Sequence, residues 1–180
     1  MSVRLSLLAL LDQGPCYGYQ LRTELDWRTG STGPINVGQI YNTLDRLERD
    51  KLVRKTGENN YYEITSLGSA EVARWLVSVS PLAELPAKLA LAATLPGVDV
   101  RSIIRAQRAS SAGEGAGSSA PTTAAELAAM IVARAASAAA ASEASLLDGI
   151  DALLELGIEP RAISNEIPRR GRPAKAQGSR

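Results

Sequence analysis

The feature that most constrains the fold is a change of hydrophobic period within residues 35–65, INVGQIYNTLDRLERDKLVRKTGENNYYEIT. Ile40, Leu44 and Leu47 recur at spacings of four and three residues, which is typical of the buried face of a helix. The following segments, LVRKT and NYYEIT, are rich in strand-forming residues and are separated by GENN, which suits a tight turn. The sequence therefore predicts an amphipathic helix followed directly by a two-stranded hairpin.

Two further helices are predicted before this segment. Residues 3–11 form an apolar stretch that ends at DQGP, and residues 17–29 form a second helix that ends before GSTGP. The second helix has one face at helical spacing, made of Tyr17, Leu21, Leu25 and Arg28.

Polar caps mark the starts of the last two predicted helices of this region. Asn36 offers its side-chain oxygen to the first N–H groups of the third helix, and Thr65 does the same for a fourth helix, residues 66–79. The fourth helix is predicted to bury Leu67, Val72, Trp75 and Leu76. The order of three helices, two strands and one helix predicts a winged helix-turn-helix domain in residues 1–79, and the alternative is a small α+β domain without that function.

The composition changes after residue 79. Short helical pieces between prolines are predicted first, then a flexible loop near residues 109–121, and then a long alanine-rich helix within residues 122–157. Residues 80–160 are therefore interpreted as a helical dimerisation and effector region, and residues 161–180 as a basic disordered tail. The whole chain is predicted to be mainly α.

An isolated alanine helix buries little apolar area, so a partner helix should supply most of its packing. A second copy of the chain would satisfy this need, and the alternative is packing against the same chain. The larger apolar residues predicted to dimerise lie towards the two ends of the helix: Leu127, Met130, Ile131, Leu146, Leu147, Ile150, Leu153 and Leu154.

The absence of histidine and the single cysteine restrict the chemistry. Without histidine the chain lacks the commonest general base, and Cys16 alone cannot form an internal disulfide or a zinc site. We therefore expect no enzyme activity, no metal and no cofactor, and interpret Cys16 as a small buried residue rather than a reactive thiol. Because no run of about 18 apolar residues occurs, we expect a cytoplasmic protein without a membrane partner.

Three segments resemble the PadR-type transcriptional regulators. LLALLDQGPCYGYQLRTEL is similar to the first two helices of that family, GQIYNTLDRLERDKLV to its third helix, and YYEITSLG to the end of its wing. One position departs from the family pattern, because Lys51 stands where a glycine usually ends the third helix. Glycine adopts the left-handed conformation of such a helix end without steric cost.

The resemblance implies a homodimer that binds a palindromic operator, usually as a repressor, and responds to a small hydrophobic or aromatic effector. The third helix would lie in the major groove and the wing would approach the backbone or minor groove. We expect this protein at the bacterial nucleoid; the alternative is a winged-helix protein-interaction module without DNA binding. The candidate DNA-binding residues are Asn36, Gln39, Tyr41, Asn42, Thr43, Arg46, Arg54, Lys55, Asn59 and Asn60.

The tail adds a separate hypothesis. Residues 168–180 hold five basic side chains and no acidic one. Within PRRGRPAK, the segment Arg170-Gly171-Arg172-Pro173 resembles the core of an AT-hook, which lies in the narrow minor groove of A·T-rich DNA. The alternative is a basic tail without base preference.

Overall fold

The computed structural model describes residues 2–29, 35–56, 61–111 and 123–163, with the backbone alone for residues 111, 124–127 and 129. Over these residues it confirms the predicted mainly α fold with a winged helix-turn-helix. Several predicted site residues fall outside the description: Asn59, Asn60, the side chain of Leu127, and Arg170, Gly171, Arg172 and Pro173.

The first part of the chain forms three helices, a two-stranded wing and a fourth helix. The elements are α1 (Val3–Leu11), α2 (Gly18–Thr29), α3 (Val37–Arg49), β1 (Val53–Thr56), β2 (Tyr61–Ile64) and α4 (Ser66–Val77). The two strands are antiparallel, with Val53 opposite Ile64 and Lys55 opposite Tyr62. Cys16 extends this sheet by one bridge, because its N–H and C=O pair with those of Tyr62 at 3.1 and 2.9 Å.

The core of this region lies between α1 and α3. Ile40, Leu44 and Leu47 are fully buried, which confirms the predicted inward stripe of the third helix. On α1, the run from Leu7 to Leu11 is buried on every side because α1 packs against α2, α3, α4 and β2. Each such side chain contributes about 1.5–3 kcal/mol of burial free energy, so this core holds α3 rigidly by one face and leaves the other to solvent.

The prediction that the fourth helix buries Leu67 is wrong, since the Leu67 side chain is 60% exposed. The face that approaches the rest of the domain is the one of Gly68 and Val72, four residues apart. A Cβ on Gly68 would lie 2.3 Å from the carbonyl oxygen of Leu52, so only glycine allows this approach. The neighbouring Leu67 is thereby turned outward.

Lys51, which stands where a glycine usually ends the third helix, adopts the backbone conformation of that glycine at the end of α3. Its φ of +60° is left-handed, as a glycine at this position would be. The N–H of Leu52 donates to the Leu47 carbonyl and the N–H of Lys51 to the Glu48 carbonyl, both at 2.9 Å, which is the hydrogen-bond pattern of a Schellman motif. Lysine therefore keeps the usual helix end at the cost of steric strain.

The second part of the chain consists of α5 (Leu85–Thr94), α6 (Val100–Ser111) and α7 (Ala124–Leu154), which confirms the predicted long alanine-rich helix. A separate core cluster joins them through residues such as Leu89, Ile104 and Leu147. The predicted loop near residues 109–121 starts later than expected, because residues 109–111 still belong to α6; residues 112–121 lie outside the description.

The two parts are packed against each other through α2 and α5. Leu91, Leu95 and Ile163 belong to the same buried cluster as the core of the winged helix. The predicted tail therefore needs a correction at its start, since residues 161–163 lie on the folded protein rather than in a free tail. The proposed domain boundary at residue 79 stays a prediction.

Within α7, Met130–Leu154 is long and apolar enough to cross a membrane by length and composition, with a mean hydropathy of 1.2. Nine of its 25 residues are alanine. Towards the end of the helix, Leu147 is buried in the protein's own core, and Asp148 and Asp151 each lie 2.8 Å from Arg108 of α6. This end of α7 thus packs as part of a folded helical domain.

Candidate nucleic-acid interface

The solvent-facing side of α3 carries polar and basic side chains. Gln39, Asn42 and Arg46 are exposed, as predicted. Arg49 is exposed as well and was missed by the sequence analysis, although helical spacing points to it: Asn42, Arg46 and Arg49 follow one another at four and three residues. At 3.6 residues per turn, Asn42 and Arg49 lie almost opposite the buried leucines.

Tyr41 has a packing role. Its ring lies against α2, so closely that a Cβ on Gly18 would be 2.7 Å from Tyr41 Cε1. The absence of a side chain at Gly18 lets the tyrosine fill the space between α2 and α3. Tyr41 nevertheless remains 41% exposed, and a role of its hydroxyl group on DNA stays a prediction.

Two other predicted DNA-binding residues use their polar atoms within the fold. The side-chain oxygen of Asn36 accepts a hydrogen bond from the Gly38 N–H at 2.8 Å, which confirms the predicted helix cap. The hydroxyl group of Thr43 donates to the Gln39 carbonyl at 2.7 Å. Both side chains therefore have local partners that a DNA contact would share or replace.

The basic residues of the wing are paired with carboxylates. Arg54 lies 2.9 Å from Glu63 on the neighbouring strand. Lys55 Nζ lies 2.9 Å from Glu48 and 3.5 Å from Asp45, both on α3. The hydrogen bond that Lys55 donates to the Glu48 carboxylate is the main reason that the pKa of Lys55 is raised above its ordinary value. Lys55 thus ties the wing to the middle of α3 and offsets part of its negative charge.

Arg46, Arg49 and Lys51 differ from the wing cations. Within the described part of the chain none of them forms an ion pair, although all three are exposed. Arg46 and Arg49 also stand in the last turn of α3, where positive charge stabilises a helix by about 0.3–1 kcal/mol. These side chains are the unpaired positive charges of this surface.

Cys16 is fully buried, and burial raises the pKa of its thiol to about 12. The thiol therefore stays protonated at neutral pH and is a poor nucleophile. Among the described residues no cluster of three or more metal-ligating side chains occurs.

A second feature is a cavity of about 470 Å³ between α2, α5 and the end of α7, which the sequence analysis did not anticipate. Its walls are mainly apolar, and Arg161 and Glu159 mark one rim. The lining residues include Trp27 of α2, Leu89 and Ala93 of α5, Ile150 and Leu154 of α7, and Ile158 after α7. A cavity of this size and polarity can hold a small apolar molecule.

An ion network lies beside this cavity, with Glu24 and Arg28 buried and Arg161 partly exposed. Arg28 Nε donates to Glu24 Oε2 at 2.9 Å, and Arg161 Nη2 donates to Glu24 Oε1 at 2.8 Å. Arg28 also donates to the backbone carbonyls of Thr94 and Arg161. The Arg161 guanidinium stands 4.1 Å from the centre of the Trp27 ring. The network joins α2, α5 and the segment after α7 at one point.

The predicted dimerisation residues divide into two groups. Leu147 needs a correction, because it is 1% exposed within its own chain, and Leu146, Ile150 and Leu154 pack beside it. Ile131 and Leu153 are 61% and 63% exposed, and Val132, which was not predicted, is 69% exposed. Packing on the same chain therefore accounts for Leu147 and the side chains beside it, whereas Ile131 and Val132 near the beginning of α7 and Leu153 near its end are exposed.

Comparisons with known proteins agree with this geometry. Residues 7–74 match the family described as transcriptional regulator PadR-like. An uncharacterized protein from Lysinibacillus sphaericus is 31% identical over 71 residues, which cover 36% of this chain and 65% of that protein. The match thus spans less than two thirds of that relative's length. The sequence-based identification of a PadR-like region is confirmed.

Solved structures give weaker likenesses. A transcriptional regulator from Clostridium thermocellum is 26% identical, with a TM-score of 0.37, over 41% of this chain and 75% of that one. Bacillus subtilis PadR is 18% identical, both in complex with operator DNA (TM-score 0.38, 85% and 96% covered) and with p-coumaric acid (TM-score 0.40, 83% and 98% covered). Scores of this size do not support the transfer of contact residues or ligands.

Proposed function

Because residues 7–74 form a winged helix that matches the PadR-like transcriptional regulators, we propose that this chain is a sequence-specific DNA-binding regulator rather than an enzyme. The finer proposal is a homodimeric repressor that a small molecule releases from a palindromic operator. The observation that carries it is the outer face of α3, where Asn42, Arg46 and Arg49 are exposed and none of their side chains is needed by the core.

In this mechanism α3 lies in the major groove. The amide groups of Gln39 and Asn42 suit adenine, which offers one acceptor and one donor on that edge. Arg46 suits guanine or a phosphate, and Arg49 a phosphate. A good bidentate base contact discriminates by about 1–3 kcal/mol, so a few such residues are enough for a specific half-site.

We propose that the wing also stabilises its own position on α3, in addition to the expected approach to DNA. Arg54 and Lys55 have carboxylate partners before DNA arrives, so they contribute less unpaired charge than Arg46 and Arg49. Lys55 acts mainly by fixing the wing against α3. Asn59 and Asn60 remain candidates for the wing tip, and Arg170, Gly171, Arg172 and Pro173 for a minor-groove contact.

The exposed apolar side chains of α7 support the proposed homodimer. Ile131, Val132 and Leu153, with Met130, leave apolar area that a second copy would bury. Two winged helices related by a two-fold axis would then meet two half-sites of a palindrome.

The cavity supports the proposed effector. Its Trp27 wall and the Glu24–Arg28 pair belong to the same helix, α2, whose Arg22 and Asp26 bind the carbonyl and N–H of Ile35 at 2.9 and 3.3 Å. Ile35 leads directly into α3. A molecule that displaces Trp27 or Arg161 would therefore act on the helix that positions the start of α3. The proposed place of action is the bacterial cytoplasm, at the nucleoid.

The test is selection of random double-stranded DNA by the purified protein, followed by binding titrations at several salt concentrations. We expect one palindromic motif, with Arg46→Ala lowering affinity about tenfold or more and relaxing one base preference. Lys55→Ala should weaken all sequences about equally, since it leaves Asp45 and Glu48 unpaired beside the phosphates. Arg105→Ala, on the exposed side of α6, is the control. An unchanged affinity of Arg46→Ala would contradict the proposal.

A protein-interaction module is the second candidate, because the paired wing cations are what a surface without a DNA partner would also show. Binding at low salt distinguishes the two. A module of this kind would retain no DNA at low ionic strength, where phosphate contacts are strongest.

A further inference from the structure

Asp45 is a carboxylate on the exposed side of α3 that contributes little to the stability of the fold. Its side chain is 55% exposed and stands 3.5 Å from Lys55 Nζ, whereas Glu48 holds the same nitrogen at 2.9 Å. The residue lies in the second half of the helix, where a negative charge gains nothing from the N-terminal dipole. Aspartate is also a poor residue for a helix interior, so helix stability does not explain it.

The location of Asp45 points to the same side as the proposed base contacts. It is three residues after Asn42 and four residues before Arg49, and both of these are exposed on the outer face. In a major groove this position brings the carboxylate between phosphate-lined walls, where it would be repelled unless a donor met it.

We propose that Asp45 is a specificity-determining residue that accepts a hydrogen bond from an exocyclic amino group of the operator, above all cytosine N4. This inference rests on the proposed function and names one base contact of that same surface. An ionised carboxylate only accepts hydrogen bonds. In the major groove the donors are cytosine N4 and adenine N6, whereas the edges of guanine and thymine offer only acceptors. Asp45 therefore selects for an amino group and against the other two bases on that strand.

Lys55 makes this arrangement favourable. Asp45, Glu48 and Lys55 together carry one net negative charge, and Lys55 Nζ is bound most closely to Glu48. One oxygen of Asp45 is thus held near a positive charge while the other is left for a base. Lys55 thereby lowers the repulsion between this carboxylate and the phosphates.

The experiment compares the base preferences of the wild-type chain, Asp45→Ala and Asp45→Asn by selection and sequencing. Fluorescence anisotropy then measures the affinity for the selected duplex and for duplexes with each base pair replaced. We expect Asp45→Ala to lose about tenfold of the discrimination at one base pair in each half-site. Asp45→Asn should move that preference towards adenine, because an amide both accepts and donates. Asp50→Asn, with the same charge change at the end of α3, should leave every preference in place.

The outcomes separate this inference from the proposed function. If the wild-type chain selects no motif, the proposed function itself fails. If it selects a motif that Asp45→Ala and Asp45→Asn both keep unchanged, only the role of Asp45 is overturned. A uniform gain of affinity in Asp45→Ala, with the same motif, also overturns it, because the carboxylate would then only repel DNA. Thermal melting checks the folding of Asp45→Ala, and the isosteric Asp45→Asn decides the question if that variant unfolds.

Discussion

Two ion networks of this protein have similar chemistry and opposite surroundings. Lys55 meets Glu48 and Asp45 at the surface, where their side chains are 37–55% exposed. Glu24 meets Arg28 in the interior, where the two side chains are 7% and 0% exposed. Exposed pairs contribute about 0–1 kcal/mol, whereas removing one partner of a buried pair costs about 3–5 kcal/mol.

The difference assigns separate tasks to the two regions. Charges at the surface can exchange a carboxylate for a phosphate at little cost, which suits a recognition surface. The buried charges cannot exchange partners without leaving a charge unpaired, so they hold α2, α5 and the segment after α7 in one arrangement. Substitutions at the two networks should therefore separate stability from DNA affinity.

The largest effect is expected from Glu24→Ala. The change leaves Arg28 buried without its carboxylate and frees Arg161, so the free energy of unfolding should fall by about 3–5 kcal/mol. Urea titration followed by circular dichroism measures this fall. Glu63→Ala, which removes the exposed partner of Arg54, is the matched control and should cost less than about 1 kcal/mol. Equal losses in the two variants would remove the distinction between the networks.

The next effect is a pH dependence from a third cation, Lys88. It is 2% exposed, donates to the Ser78 carbonyl and the Ser80 hydroxyl group, and has a pKa that burial lowers to about 8. Between pH 8 and the ordinary lysine pKa of 10.5 the unfolded chain binds more protons, so the contribution of Lys88 to stability rises with pH by about 1–3 kcal/mol.

Comparison with Lys88→Met isolates this rise. The raised pKa of Cys16 acts in the opposite direction above pH 9, because the unfolded thiol then ionises while the buried one does not. The clean window is therefore pH 8–9, where unfolding titrations of the wild-type chain should show increasing stability and those of Lys88→Met should show none. A parallel pH profile in both proteins would rule out this account of Lys88.

A smaller effect, an increase in the free energy of unfolding, is expected from Lys51→Gly. The left-handed φ of +60° costs a lysine about 1 kcal/mol that glycine does not lose. The midpoint of urea unfolding should therefore rise. Lys51→Ala keeps the Cβ and serves as the control, with a midpoint close to that of the wild-type chain. A gain in Lys51→Ala of the same size would point to charge rather than backbone strain.

The smallest effect on stability is expected from Lys55→Ala, at less than about 1 kcal/mol. Its effect on DNA affinity should be larger than this, since it leaves two carboxylates unpaired at the proposed DNA-binding surface. Both variants are measured by unfolding and by DNA titration. Lys55→Ala should change DNA affinity more than stability, whereas Glu24→Ala should change stability more than DNA affinity. A loss of stability in Lys55→Ala as large as that in Glu24→Ala would mean that the wing is part of the core.

Local signals in the sequence were sufficient for the winged helix. The cap at Asn36, the stripe of Ile40, Leu44 and Leu47, and the turn residues of the hairpin each act within a few positions, so pattern and propensity predict them. Lys51 was identified as irregular by the resemblance to the PadR family, in which a glycine usually stands at this position, and not by a local pattern. The outward turn of Leu67 was missed because it depends on how closely Gly68 approaches the Leu52 carbonyl, which no local pattern encodes.

The cavity and the buried network could not be predicted in this way. Arg161 reaches Glu24 across 137 positions of sequence, and Lys55 reaches Glu48 only because the wing folds back along α3. Such contacts depend on the packing of whole elements rather than on spacing. The Arg28 position on the buried stripe of the second helix was predicted, but its partner was not.

The burial of Ile163 fixes the point at which residues 164–180 are attached to the folded protein. Because Ile163 packs in the core of the winged helix, residues 164–180 are tethered to the body that carries α3 and not to the far end of α7. Arg170 and Arg172 follow Ile163 by seven and nine residues, and nine residues span at most about 32 Å. Under the proposed function, this point of attachment would set the local concentration of the basic segment near bound DNA, independent of the concentration of the protein.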